Sequence, residues 1–192
     1  MELLFILLTY FTASIPFGFI IGKLFGKDVT KEGSGNIGAT NVARTIGKKA
    51  GILVLLLDAL KGFIPVYLSK LYFDDRFVAV IAVVAVLGHC YSIFMKFKGG
   101  KGVATGIGVL LALSPKVALI VITLWLGIFL TTGYVSLASV ISAFMSWIMM
   151  NYIEANYYFT IAALISSIII VYKHSSNIER LLKGTENRFI YK

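Results

Sequence analysis

The 192-residue chain is 58% hydrophobic with a mean hydropathy of +0.89, against roughly 45–50% apolar usage in an ordinary soluble domain, and this excludes a soluble enzyme in favour of a membrane protein. A net charge of +9 does not indicate nucleic acid, because the basic residues are divided among short loops and build no soluble basic domain. Cys90 is the single cysteine, so neither an intramolecular disulfide nor a cysteine-based metal cluster is available.

In chain order, apolar runs cover 3–22, 50–71, 77–95, 102–114, 116–133, 134–152 and 157–173. They predict an all-α integral membrane protein of seven transmembrane helices in one bundle. The first run reads as a retained helix, since Glu2 replaces the basic flank of a signal peptide and the run is long enough to span. Pro16 and Pro65 predict kinks in the first two spans, and Ser114-Pro115-Lys116 a tight external turn. The fourth run is short, about 20 Å of helix against a hydrocarbon core of roughly 30 Å. Charge decides that it crosses. If all seven runs span, segments 23–49, 96–101 and 173–192 share one face and carry 6, 3 and 5 of the 18 Lys and Arg residues, 14 in total. That face is cytoplasmic by the positive-inside rule, with the N-terminus outside and the C-terminus inside. Nothing outside the membrane is long enough for a second domain, so residues 1–192 are expected to form one.

Three polar stretches interrupt the oily chain. In GSGNIGATNVAR, residues 33–44, Gly33, Gly35 and Gly38 permit positive φ, and Ser34, Asn36, Thr40 and Asn41 supply hydroxyl and amide groups. They suit an anion nest closed by Arg44, with a flexible connector as the alternative. In GHCYSIFMKFKGGKGVATG, residues 88–106, His89 precedes Lys96 and Lys98, and Lys101 lies within Gly99, Gly100 and Gly102 ahead of the fourth helix. Glycine amides, an ammonium and a helix N-terminus favour a dianion, although the P-loop pattern is absent. Lys96 and Lys98 read better as interfacial anchors. In HSSNIERLLKGTEN, residues 174–187, His174, Asn177 and Arg180 fall on one face of a helix, which also fits a snorkelling tail. Asp58 and Lys61 stand at i,i+3 inside the second run and are expected to pair, as a functional or a bracing couple.

The chain lacks H-E-x-x-H, paired-carboxylate, G-x-S-x-G and Asp-rich signatures, and no Ser-His-acid order is visible. His174 and Glu179 fit H-x4-E, a lone match to the H-x4-D of soluble acyltransferases. A transporter of small anions would place its binding groups near the bilayer midplane, whereas these stretches gather at one face. Dense polar loops also argue against a purely structural subunit.

Taken together and in this order, the three stretches resemble the bacterial membrane acyl-phosphate:glycerol-3-phosphate acyltransferase family, the PlsY family, over essentially the whole chain. The sequence departs from the family's usual pattern at Ser92, where a proline often follows the GH, and at Ser175, where an arginine is usual. The resemblance implies transfer of a fatty acyl group from acyl phosphate to the 1-hydroxyl of glycerol 3-phosphate, giving lysophosphatidic acid and phosphate. It implies catalytic roles for Ser34, Lys101 and His174. It implies substrate binding by Gly33, Gly35, Asn36, Gly38, Thr40, Asn41, Arg44, His89, Gly99, Gly100, Gly102, Thr105, Asn177, Arg180 and Glu186. No metal, cofactor, nucleic acid or obligate protein partner is expected. The site is expected at the cytoplasmic face of the bacterial plasma membrane, where a small dianion meets a lipid-tailed donor.

Overall fold

A computed structural model describes residues 1–189, and among these it contains ten α-helices, one 3-10 turn and no strand. In chain order the helices are α1 (Glu2–Ser14), α2 (Phe17–Leu24), α3 (Ala39–Thr45), α4 (Lys48–Tyr72), α5 (Asp75–Cys90), α6 (Val103–Leu113), α7 (Pro115–Thr132), α8 (Val135–Ile153), α9 (Tyr157–Lys173) and α10 (Ser175–Leu182), with the 3-10 turn at Ile93–Met95. Each expected apolar run coincides with one of these helices or with a pair. Five segments are long and apolar enough to cross a membrane, namely Glu2–Leu24, Lys48–Tyr72, Asp75–Met95, Pro115–Thr132 and Val135–Ile153. A sixth, α9, forms with α10 a pair bent by 59°, and α6 is a shorter apolar helix.

The first run is not one helix. Pro16 has no N–H to continue the ladder, so α1 ends at Ser14 and α2 begins at Phe17, leaving the Ser14 and Ile15 carbonyls at the break. Side chains from elsewhere satisfy both: Ser92 Oγ donates to Ser14 O at 2.5 Å and Lys61 Nζ to Ile15 O at 2.7 Å. Pro65 does not break its helix, since the 25-residue α4 continues through it. Ser114 accepts from Val117 N and Pro115 opens α7, which is the tight joint expected there.

The 11 residues of α6 rise only about 17 Å. Lys70, in the last turn of α4, donates to Ala112 O at 3.0 Å and Leu113 O at 3.2 Å, and Gly62 of α4 faces Thr105 of α6. The two helices therefore run parallel with their C-terminal ends level, and α6 begins opposite Lys61. On its N-terminal side α4 continues for 13 more residues, about 20 Å, and the space beside that extension is filled by α3 and the loops. Small residues set the contact: a Cβ on Gly108 would lie 1.9 Å from Ala59 O, and one on Gly62 2.3 Å from Thr105 O. Close backbone approach of this kind is what binds helices where lipid and side chain are equally apolar.

At the bundle centre lies α5, with Val78, Ile81, Ala82, Ala85 and Val86 fully buried. A second, smaller core of Ile21, Val29, Ile37, Val42 and Val54 fastens the 25–47 loop onto α2 and α4. This core makes the long loop an ordered platform.

Candidate active site

The first polar stretch is folded around one side chain. Asn41 is buried, and its Nδ2 donates to Val29 O at 2.9 Å and Glu32 O at 3.1 Å while its Oδ1 accepts from Ser34 N at 2.8 Å. Gly33, at φ 60°, is required here, because a Cβ would stand 2.3 Å from Asn41 Oδ1. Gly35 is also left-handed, at φ 70°, but Gly38 is not: with φ −74° it is the extended cap of α3, its N–H bonded to Asn36 Oδ1 at 3.2 Å. Ser34 is exposed, and Asn36 and Thr40 are half-buried. From the last turn of α3, Arg44 reaches the C-terminal tail, donating to Asn187 O at 3.4 Å with its guanidinium 5.5 Å from the Phe189 ring.

The second stretch returns to its own helix. After left-handed Lys96 and Phe97, Gly99 N bonds Cys90 O at 3.2 Å and Gly100 N bonds His89 O at 3.1 Å. The turn thus held presents Lys101 directly before Gly102, at φ 86°, and the N-terminus of α6, whose dipole and open first-turn amides favour an anion. Lys96 and Lys98 are exposed, as befits anchors. Two expected binding residues lie deeper: His89 is buried beside Asp58, and Thr105 is fully buried against Gly62 in the α4–α6 contact.

The third stretch closes the site. His174 sits at the bend between α9 and α10, and its Nδ1 is 2.7 Å from Ile170 O. A carbonyl only accepts, so Nδ1 carries the proton and Nε2 is the unprotonated nitrogen of the neutral ring. Asn177 Oδ1 accepts from Lys101 Nζ, and its Nδ2 donates to Glu186 Oε1 at 2.6 Å. Glu186 also accepts from Ser136 Oγ at 2.7 Å and from Arg180 Nε at 2.7 Å. Arg44, Lys101, His174, Asn177, Arg180 and Glu186 are thereby brought together, while Glu179 points away into an exposed pair with Lys183. Ser136, the first buried residue of α8, was not identifiable from a run that reads as uninterrupted apolar helix.

Burial pushes Lys101 down to about 8, aided by Arg180, Arg44 and Lys173 and opposed by Glu186. Burial likewise lowers His174 to about 4, with Lys101 adding to the effect against the Ile170 hydrogen bond. For Glu186 burial acts upward, but the hydrogen bonds from Ser136, Asn177 and Arg180 prevail and hold the carboxylate below its usual range. Arg180 is bonded to Glu186, and Arg44 and Lys101 lie in the field of the same carboxylate, an excess of positive charge that leaves room for a dianion.

Comparison with known proteins places these features in a family. Residues 3–184 match the family model for glycerol-3-phosphate acyltransferase. A glycerol-3-phosphate acyltransferase of Aquifex aeolicus is 48% identical over 96% of this chain and 97% of its own, and one of Geobacter sulfurreducens is 46% identical over 98% and 97%. A crystal structure of PlsY (YgiH), an integral membrane glycerol 3-phosphate acyltransferase, in its glycerol 3-phosphate form superposes with a TM-score of 0.96 at 44% identity, covering 98% of this chain and 96% of that one. Its lysophosphatidic acid form gives 0.94 at the same identity. The chain belongs to the glycerol-3-phosphate acyltransferase family, and it is an integral membrane enzyme.

Proposed function

We propose that this enzyme moves a fatty acyl group from acyl phosphate to the 1-hydroxyl of glycerol 3-phosphate, as one domain over residues 1–192, at the cytoplasmic face of the bacterial plasma membrane. The observation that carries the reading is the gathering of Arg44, Lys101 and Arg180 about Glu186 beside an unprotonated His174 nitrogen. The PlsY structures in glycerol 3-phosphate and lysophosphatidic acid forms support it, and so does the gathering of 14 of 18 basic residues on one face if all seven runs cross.

In this reading Ser34, Arg44, Lys101, His174 and Asn177 hold glycerol 3-phosphate. Backbone amides of residues 33–36 and the Gly99–Gly102 turn hold the donor phosphate and its carbonyl. The acceptor oxygen attacks the acyl carbon, the bond from that carbon to the phosphate oxygen breaks, and its electron pair leaves with phosphate. The hydroxyl proton passes to the departing phosphate, whose oxygens lie beside the reacting hydroxyl, while burial keeps His174 unprotonated. His174 Nε2 then serves as the acceptor that orients the hydroxyl. A mixed anhydride already has a good leaving group, so positioning and charge neutralisation carry the catalysis. The donor's tail lies between the apolar helices of the bundle.

Direct transfer is tested by a single-turnover reaction with labelled acyl phosphate and no acceptor. No label should remain on the protein, and Ser34→Ala should lower the rate only through a lost hydrogen bond. A stoichiometric acyl-serine adduct would refute the mechanism.

A further inference from the structure

Beneath the Gly99–Lys101 turn lies a charged cluster that the chemistry above does not use. Asp58, Lys61 and His89 are 2%, 7% and 4% exposed. Lys61 Nζ is 2.8 Å from Asp58 Oδ1, and His89 Nδ1 is 3.7 Å from the same oxygen with no hydrogen-bond partner of its own. A buried ion pair is at best a neutral contributor to stability compared with apolar residues of the same volume, and ionisable groups inside a membrane helix demand a reason. The geometry supplies one.

His89 supports the turn in two ways. Its carbonyl accepts from Gly100 N, and its ring lies so close under Gly100 that a Cβ there would be 2.2 Å from Nε2. A Cβ on Gly99 would lie 2.0 Å from His89 O. The two glycines before Lys101 are therefore shaped to rest on this residue. Lys61 links the same cluster to the α1–α2 break through Ile15 O, so helices α1, α4 and α5 meet under the turn.

We propose that Asp58, Lys61 and His89 form a buried buttress that positions the Gly99–Lys101 turn, and so fixes where the Lys101 ammonium stands in the site. The inference rests on the reading of Lys101 as the phosphate-holding cation. Lys101 is faced by Arg44 from α3, Lys173 from the end of α9, His174 from the bend after it, Arg180 from α10 and Glu186 from the tail. Its burial keeps its proton affinity low, so a turn that loosens returns it toward an ordinary lysine.

The test measures kcat/KM for glycerol 3-phosphate against pH, per mole of folded enzyme, in Lys101→Ala, His89→Ala and His89→Gln. Lys101→Ala checks the underlying reading by itself: near-normal activity there removes Lys101 from the site. With that control inactive, His89→Ala should raise KM for glycerol 3-phosphate at least tenfold and move the alkaline limb of the profile above its wild-type position. His89→Gln, which returns a polar atom under Gly100, should recover most of both. Unchanged KM and an unchanged limb in folded His89→Ala would overturn the buttress. If that variant does not fold, the charge-free pair Asp58→Asn with Lys61→Met is measured in the same way. A displaced limb and raised KM at wild-type melting temperature support the proposal, and a wild-type profile in that pair refutes it.

Discussion

Lys101 is the residue on which the site depends. Its half-buried ammonium donates to Asn177 Oδ1, and removing it from a phosphate takes away charge-assisted hydrogen bonds of ~1.5–3 kcal/mol each. Lys101→Ala should lower kcat/KM for glycerol 3-phosphate by about 100-fold or more, at roughly tenfold per 1.4 kcal/mol, in steady-state assays of folded protein. The pH dependence has a definite sign. Lys101 binds a dianion only as the cation, so kcat/KM should fall as pH rises through about 8, and Lys101→Arg should abolish that limb because guanidinium keeps its proton. Glu186 raises the proton affinity of Lys101; Glu186→Gln should therefore shift the limb to lower pH while weakening the hold on Asn177 and Arg180. An upward shift in that variant would contradict the charge assignment. Of these residues, Lys101, His174, Asn177 and Arg180 were legible because glycine spacing and helical spacing mark them locally. The bonds that tie them together, Lys101 to Asn177 across 76 positions and Ser136 to Glu186 across 50, leave no local trace.

At the scale of elements, the apolar runs announced every long helix, since length and composition are enough to locate a segment that lipid will tolerate. Pro16 marked a disturbance, but a complete break, and the capture of its two carbonyls by Lys61 and Ser92, depend on partners 46 and 78 residues away. Pro65 leaves α4 unbroken, since helices in a bundle can satisfy a carbonyl that proline frees. Packing between α4 and α6 rests on backbone contact at Gly108, and Gly108→Ala should lower stability by about 1–3 kcal/mol through overpacking. Gly127 has nothing within 4 Å of a new Cβ, so Gly127→Ala should be neutral or slightly stabilising. Thermal unfolding of the two variants in the same detergent makes the comparison; equal midpoints would contradict the close approach assigned to α6.

Taken whole, the molecule combines a lipid-facing belt of exposed apolar side chains with a polar platform that gathers Arg44, Lys101 and Arg180 about Glu186. Because those cations can neutralise phosphate by themselves, activity should persist in excess EDTA, and loss that magnesium restores would reveal a metal requirement. The platform is also small. Its longest segment between membrane helices runs from about 25 to 47 and is already folded around Asn41, a small surface for the several phosphates and the adenine of coenzyme A. In the proposed reaction a single-phosphate leaving group would take its place beside the acceptor phosphate, with its tail between helices. Acyl phosphate as donor is the central claim, and its most direct test is a side-by-side assay of palmitoyl phosphate and palmitoyl-CoA with glycerol 3-phosphate. The account predicts turnover with the phosphate and none above background with the thioester; comparable kcat/KM for the two donors would contradict it.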